Sequence, residues 1–145
     1  MAHPRPAKSA VSWRISSGPS LAFGQGMTPQ EMKSRTKTFA VEVIKFARTL
    51  TVGDVAEDHI VRQLVRSGTA VGANYRASCR AKSTGDFISK MTTVEEETDE
   101  TSYWLEVLVE GNLVGQERVE TLMNEADQLI RIVVASIKTA RGRKR

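Results

Sequence analysis

The chain has 145 residues, of which 40% are apolar and 26% charged, and its net charge is +4. This length suits one domain with a single core, and the longest apolar runs fall far short of the ~20 residues that a membrane span needs. The one cysteine excludes an intrachain disulfide, so we predict a cytoplasmic protein in which Cys79 is a small buried side chain.

The positive charge is concentrated at the two ends of the chain. Residues 1–26 hold three basic and no acidic residues, and residues 141–145 hold four basic residues. The sequence between them has 14 basic and 17 acidic residues, a net charge of −3. We predict a disordered extension over residues 1–31, with Met27 resembling a natural start, a domain over 32–140 and a basic tail over 141–145.

Proline is absent after Pro29, which suits a nearly all-helical domain. An apolar stripe with spacings of four, three and four predicts a first helix over residues 32–50. The stripe consists of Phe39, Val43, Phe46 and Leu50. The basic residues of this helix, Arg35 among them, fall mostly off that stripe.

A capping box formed by Asp54 and Glu57 predicts the start of a second helix, which runs to about Ala81. Gly68 and Gly72 lie four residues apart on one side of it, although each glycine costs up to ~1 kcal/mol in a helix interior. They indicate either the close approach of a neighbouring helix or a kink.

A second capping box, Ser83 with Asp86, begins the third helix. This helix carries a heptad seam and a strongly acidic outer face. The seam consists of Phe87, Met91, Val94, Thr98, Thr101, Leu105, Leu108 and Asn112. Glycines mark the next turn, and a fourth amphipathic helix covers residues 116–140. Because short connections make sequential helices antiparallel, we predict an all-α, antiparallel, up-down-up-down four-helix bundle.

Di-iron sites in such bundles need Glu-x-x-His motifs on two helices. The two histidines are His3 and His59, and neither follows a glutamate by three residues. The sequence also has no convincing catalytic triad, P-loop or dinucleotide fingerprint. We therefore predict a protein that is not an enzyme and holds no metal or cofactor.

Basic residues at the ends of the second and fourth helices are the candidates for nucleic-acid binding. The antiparallel arrangement places both helix ends at the same end of the bundle, and clustered cations suit phosphate contacts. The candidates are Arg76, Arg80, Lys82, Arg141, Arg143, Lys144 and Arg145. The alternative is that they only complement the helix dipoles or keep the chain soluble.

Tyr103 and Trp104 lie beside the seam of the third helix. Together with Ile88 they are candidates for a contact between subunits, and the alternative is that Trp104 only widens the core. Oligomerisation would multiply one basic cluster several-fold and strengthen weak contacts through multivalency.

A long run of the chain resembles a known bacterial family. The stretch Arg-Ser-Gly-Thr-Ala-Val-Gly-Ala-Asn-Tyr-Arg-Ala over 66–77, followed by Val-Glu-Glu-Glu-Thr-Asp-Glu-Thr over 94–101, is similar to the four-helix-bundle family that includes proteins encoded by intervening sequences of the 23S rRNA gene. The likeness covers residues from about 33 to 140 and is specific for fold and family but weakly specific for function.

The resemblance carries expectations about partners and polar residues. A related branch, the accessory proteins of diversity-generating retroelements, forms homopentamers that bind nucleic acid and a reverse transcriptase. The resemblance implies a homo-oligomer, with a pentamer favoured. It also gives RNA or DNA as candidate partners. A reverse transcriptase is a further candidate partner, by family analogy only. The resemblance also suggests a partly buried polar network of Arg66, Asn74, Glu97 and Glu100, so that replacing Arg66 with leucine destabilises the fold or assembly.

The leading hypothesis is a non-enzymatic, homo-oligomeric accessory or scaffold protein that associates with nucleic acid. The alternative is a protein–protein interaction module that binds no nucleic acid. Salt-dependent binding to RNA or DNA would distinguish the two.

Overall fold

The computed structural model describes residues 27–143, which form four helices and no strand. The helices are α1 (Pro29–Arg48), α2 (Val55–Ser78), α3 (Thr84–Glu110) and α4 (Gln116–Gly142). Sequential helices pack against one another, and α1 also contacts α4. The predicted all-α four-helix fold is confirmed. None of these helices is long and apolar enough to cross a membrane.

The N-terminus of α1 has a complete capping box. Thr28 Oγ1 accepts a hydrogen bond from the backbone N–H of Glu31 at 3.1 Å, and Glu31 Oε1 accepts one from the N–H of Thr28 at 2.9 Å. Pro29 stands at the first helical position, where its fixed φ is favourable. The helix therefore begins three residues before the predicted boundary, while residues 1–26 of the predicted extension lie outside the described residues.

The two predicted caps begin α2 and α3. Asp54 accepts from the N–H of Glu57 at 2.8 Å, and Ser83 accepts from the N–H of Asp86 at 3.0 Å. The acidic side chain of each predicted box does not bond to the N–H of the cap residue itself. Glu57 accepts from the N–H of Gly53 and Asp86 accepts from that of Lys82, in each case the residue before the cap. Both predicted helix starts are confirmed.

The glycines of α2 allow α1 to approach closely. A Cβ at Gly68 would lie 2.8 Å from Val43 Cγ1, and one at Gly72 would lie 3.3 Å from the carbonyl carbon of Thr36. Val43 lies against Gly68, whereas Thr36, which comes earlier in α1, lies against Gly72, which comes later in α2. The two helices are therefore antiparallel. Because α2 is unbroken across both glycines, the close-approach interpretation is confirmed.

The heptad seam of α3 supplies the centre of the core. Met91, Val94, Leu105 and Leu108 are fully buried there. Thr101, which also lies on the seam, donates to Ser67 Oγ of α2 at 3.0 Å, so this buried hydroxyl is satisfied. The seam therefore combines apolar packing with a polar bond between two helices.

Two side chains stand out by their burial, and for one of them, Cys79, the prediction is wrong. Arg35 is buried, with only 7% of its surface exposed, because it pairs with Glu125 of α4. Cys79 is exposed, because α2 ends at Ser78 and the cysteine is its C-terminal cap.

Candidate nucleic-acid interface

Five of the predicted nucleic-acid-binding residues lie at one end of the bundle. Their side chains are exposed, and none forms a salt bridge with another described residue. We call this set the basic end, and it consists of Arg76, Arg80, Lys82, Arg141 and Arg143. The predicted candidates Lys144 and Arg145 lie outside the described residues.

A cleft lies between the two parts of the basic end, which come from the end of α2 and from the end of α4. Lys82, just after α2, and Arg143, at the end of α4, both line it. The beginning of α1 contributes Pro29 and Lys33, and the beginning of α3 contributes Thr84. The ends of α2 and α4 and the starts of α1 and α3 therefore meet here, as the antiparallel arrangement requires.

The nearest acidic side chain described on α3 is already bound. Asp86 Oδ1 accepts from Lys90 Nζ at 2.5 Å, and its Oδ2 accepts from the N–H of Lys82 at 3.0 Å. These bonds hold the pKa of Asp86 below its usual value, first through Lys90 and then through Lys82. The remaining α3 acids begin at Glu95, several turns from the basic end.

The structure brings three of the four predicted network residues together. Arg66 Nη2 lies 3.0 Å from Glu97 Oε1 and 2.7 Å from Glu100 Oε2. Asn74 is not part of this set, since it donates to the carbonyl of Ala70 in its own helix at 2.8 Å. The Arg66 side chain is 47% exposed, so the ion pairs lie at the surface between α2 and α3 and contribute little each.

Trp104 contacts both the network of Arg66, Glu97 and Glu100 and the rings of Tyr103 and His59. Its indole Nε1 donates to Glu100 Oε2 at 3.0 Å. That bond, followed by the Arg66 bond, holds the pKa of Glu100 below its usual 4.5. The ring of Trp104 packs edge-on against Tyr103 at 4.9 Å between centroids and against His59 of α2 at 5.8 Å.

The predicted oligomer-interface residues lie in two places. Tyr103 is 54% exposed and Trp104 is partly buried beside it. Ile88 is partly buried near the other end of α3, about 22 Å away along the helix axis at 1.5 Å per residue. Tyr103 is thus the one of the three with a large exposed surface.

The described residues contain no group of three or more His, Cys, Asp or Glu residues that could hold a metal ion. Cys79 is near Tyr75, whose pKa is raised chiefly by burial and also by Cys79, so this hydroxyl stays protonated. His59 packs against Trp104 almost six turns earlier on α2, which leaves the thiol without a histidine base in the described part.

Two features escaped sequence reasoning. The Arg35–Glu125 pair joins residues 90 positions apart, and a charged residue next to the apolar stripe of α1 was its only local signal. The cleft at the basic end is formed by four helix termini, so no single segment of sequence carries its pattern.

Comparisons with known proteins agree with this architecture. A family model described as the 23S rRNA-intervening sequence protein matches residues 30–135. The structure is similar to a crystal structure of a protein of unknown function from the S23 ribosomal protein family of Bacteroides thetaiotaomicron, with a TM-score of 0.69 and 32% identity. That likeness covers 76% of this chain and 97% of the other. No match was found among the curated proteins.

Proposed function

Because the chain belongs to the 23S rRNA-intervening sequence protein family, we propose that it is a non-enzymatic, homo-oligomeric accessory or scaffold protein that binds RNA or DNA through its basic end. The description of the family names a 23S rRNA-intervening sequence, and that of the similar crystal structure names a ribosomal protein family. Both descriptions concern nucleic-acid contexts, which supports this choice.

The observation that carries the proposal is the basic end itself. Its five cations are exposed and have no salt-bridge partner among the described residues. Elsewhere on the bundle, several cations are neutralised, as Arg66 is by Glu97 and Glu100. Cations without such partners at one end of a negatively charged domain can displace counterions from phosphates.

Fluorescence anisotropy with a labelled single-stranded oligonucleotide tests this proposal. We expect Arg76→Ala/Arg80→Ala to weaken binding by roughly tenfold or more, because each lost phosphate contact removes a favourable counterion release. The matched control, Lys37→Ala/Arg48→Ala, removes two exposed positive charges of α1 outside the basic end. An equal loss in both variants would show that binding follows net charge alone and would count against the proposal.

Self-association is the second part of the proposal, with a pentamer favoured. Tyr103 is exposed beside Trp104, and exposed aromatic residues are enriched at protein interfaces. A ring would repeat the basic end once per subunit, so weak contacts would add through multivalency.

The alternative function is a protein–protein interaction module without nucleic-acid binding. Val55 is 85% exposed and Tyr103 is 54% exposed, so α2 and α3 both present apolar surface that a protein partner could cover. A chain that forms oligomers but shows no salt-dependent oligonucleotide binding would favour this alternative.

A further inference from the structure

We propose that the cleft at the basic end binds a nucleoside phosphate, either a free nucleotide or one nucleotide of a strand. This deepens the proposed function, because binding of a strand would place one of its nucleotides in a defined site. The phosphate lies against Lys33, Lys82 and Arg143, and the base lies on the apolar floor of the cleft.

The cleft is large enough for such a ligand. Its volume is about 870 Å³, within the range of roughly 300–1,000 Å³ that small-molecule sites occupy. All four helices contribute to its walls, so its shape is fixed by the packing of the bundle rather than by one loop. A preformed cavity of this kind lowers the cost of ordering a site on binding.

The charged side of the cleft is entirely positive in the described part of the chain. Lys33 comes from α1, Lys82 from the turn between α2 and α3, and Arg143 from the end of α4. No aspartate or glutamate is among the described lining residues, and none of these three cations forms a salt bridge with a described residue. Three convergent cations without a lining carboxylate favour an anion.

The N-terminus of α3 reinforces this preference. Ser83, its N-cap, and Thr84 both line the cleft, so the positive end of the helix dipole faces the same space as the lysines. Ser136 and Thr139 of α4 also line the cleft, and the Ser136 hydroxyl already donates to the carbonyl of Ile132 at 3.0 Å. Such hydroxyls can bond to phosphate oxygens or to a ribose.

The remaining wall is apolar and suits a flat ring. Met32 and Ile132 are 2% and 5% exposed and form part of the floor, and Phe87 lines the cleft beside them. Tyr75 is only 7% exposed and also lines the cleft, with the weakly hydrogen-bonding thiol of Cys79 as a neighbour. An apolar floor beneath a cationic rim matches a base attached to a phosphate, since bases stack on aromatic rings.

The test is a titration of the full chain with adenosine 5′-monophosphate, followed by calorimetry and by amide chemical shifts. We expect this nucleotide to bind at least tenfold more tightly than either adenosine or inorganic phosphate alone, because only the nucleotide uses both walls. Shifts should concentrate at residues lining the cleft, including Phe87 and Thr139. Equal affinity for inorganic phosphate, or shifts spread over the whole surface, would overturn the proposal.

Three variants locate the site. Lys82→Ala should weaken nucleotide binding at least fivefold, and Thr139→Trp should abolish it by filling the cleft from an exposed position. The control Lys138→Ala removes an exposed charge of α4 that does not line the cleft, so it should change affinity less than twofold. An effect of Lys138→Ala as large as that of Lys82→Ala would refute a defined site. Circular dichroism confirms that each variant is folded.

Competition separates the two sources of the ligand and separates this proposal from the proposed function. A 5′-phosphorylated oligonucleotide that displaces the nucleotide better than its dephosphorylated form identifies a strand end as the ligand. Displacement by free nucleotides alone identifies free nucleotides as the ligand.

If oligonucleotides bind through Arg76 and Arg80 but the nucleotide does not bind, the cleft proposal fails while the proposed function stands. If the nucleotide binds in the cleft but no oligonucleotide binds the chain, the proposed function fails instead. Preferential binding of an acyl glycerol phosphate over the nucleotide would also overturn the cleft proposal.

Discussion

Arg35 of α1 and Glu125 of α4 form a bidentate ion pair inside the bundle. Arg35 Nε lies 2.6 Å from Glu125 Oε2, and Arg35 Nη2 lies 2.9 Å from Glu125 Oε1. The two side chains are 5% and 2% exposed. The pair therefore links the first and last helices, which are not neighbours in sequence.

Removing one partner of this pair should destabilise the protein strongly. We expect Arg35→Leu or Glu125→Leu to lower the free energy of unfolding by about 3–5 kcal/mol, because each removes the bidentate bonds of a buried charge. The double variant should cost clearly less than the sum, as measured by urea denaturation. Arg131→Leu is the control, since its ion pair with Asp127 is 65% and 60% exposed and should contribute below about 1 kcal/mol. Additive single effects would contradict the proposed coupling.

Glu100 should make the protein sensitive to acid. Its pKa is held below 4.5, first by the Trp104 indole and then by Arg66, so its ionised form is favoured in the folded state. The resulting stabilisation is present above the unfolded pKa and is lost as the pH falls through the lower folded pKa. We therefore expect Glu100→Gln to flatten the loss of thermal stability below about pH 4.5. Glu96→Gln changes an exposed carboxylate without a salt bridge to a described residue, and should leave the slope unchanged.

A larger residue at Gly68 should destabilise the protein. A Cβ there would lie 2.8 Å from Val43 Cγ1, and Val43 is fully buried and β-branched, so it cannot move aside freely. We expect Gly68→Ala to cost about 1–3 kcal/mol in chemical denaturation through overpacking. Gly85→Ala is the matched control in α3, where the nearest atom would be 3.9 Å away. That control should be neutral or stabilising by up to about 1 kcal/mol, and a similar loss at both sites would contradict the close-packing explanation.

Tyr103 should contribute to self-association. Native mass spectrometry of the chain should show a multiple of 16.0 kDa, with five copies expected. We expect Tyr103→Glu to shift the distribution towards smaller species, because it places a charge on an exposed aromatic site. Val41→Glu, at another exposed apolar position, is the control. A monomeric wild-type chain at micromolar concentration would refute this part of the proposal.

Local patterns in the sequence predict most of the fold. The heptad seam of α3 and the caps at Asp54 and Ser83 are visible because helix periodicity and capping depend on residues within one or two turns. The burial of Arg35 is not visible in this way. Its partner, Glu125, is 90 residues away, and only the packing of α1 against α4 reveals that the two meet.

The candidate site is predictable only in part. Topology alone places the cations of the basic end at the same end of the bundle, since α2 and α4 run in the same direction in an antiparallel four-helix arrangement. The cleft could not be predicted in this way, because its volume depends on how four helix termini pack. Likewise, the hydrogen-bond partner of Asn74 cannot be assigned from the helical face on which it lies. Its side-chain amide donates to the carbonyl of Ala70 in the same helix.

The most direct test of the central claim is the salt dependence of oligonucleotide binding. The logarithm of the binding constant should fall linearly with the logarithm of the salt concentration, with a slope of about −0.7 for each phosphate contact on a single strand. If each arginine makes one phosphate contact, Arg76→Ala/Arg80→Ala should make the slope shallower by about 1.4. An unchanged slope in this variant, or no binding by the wild-type chain at low salt, would contradict nucleic-acid recognition by the basic end.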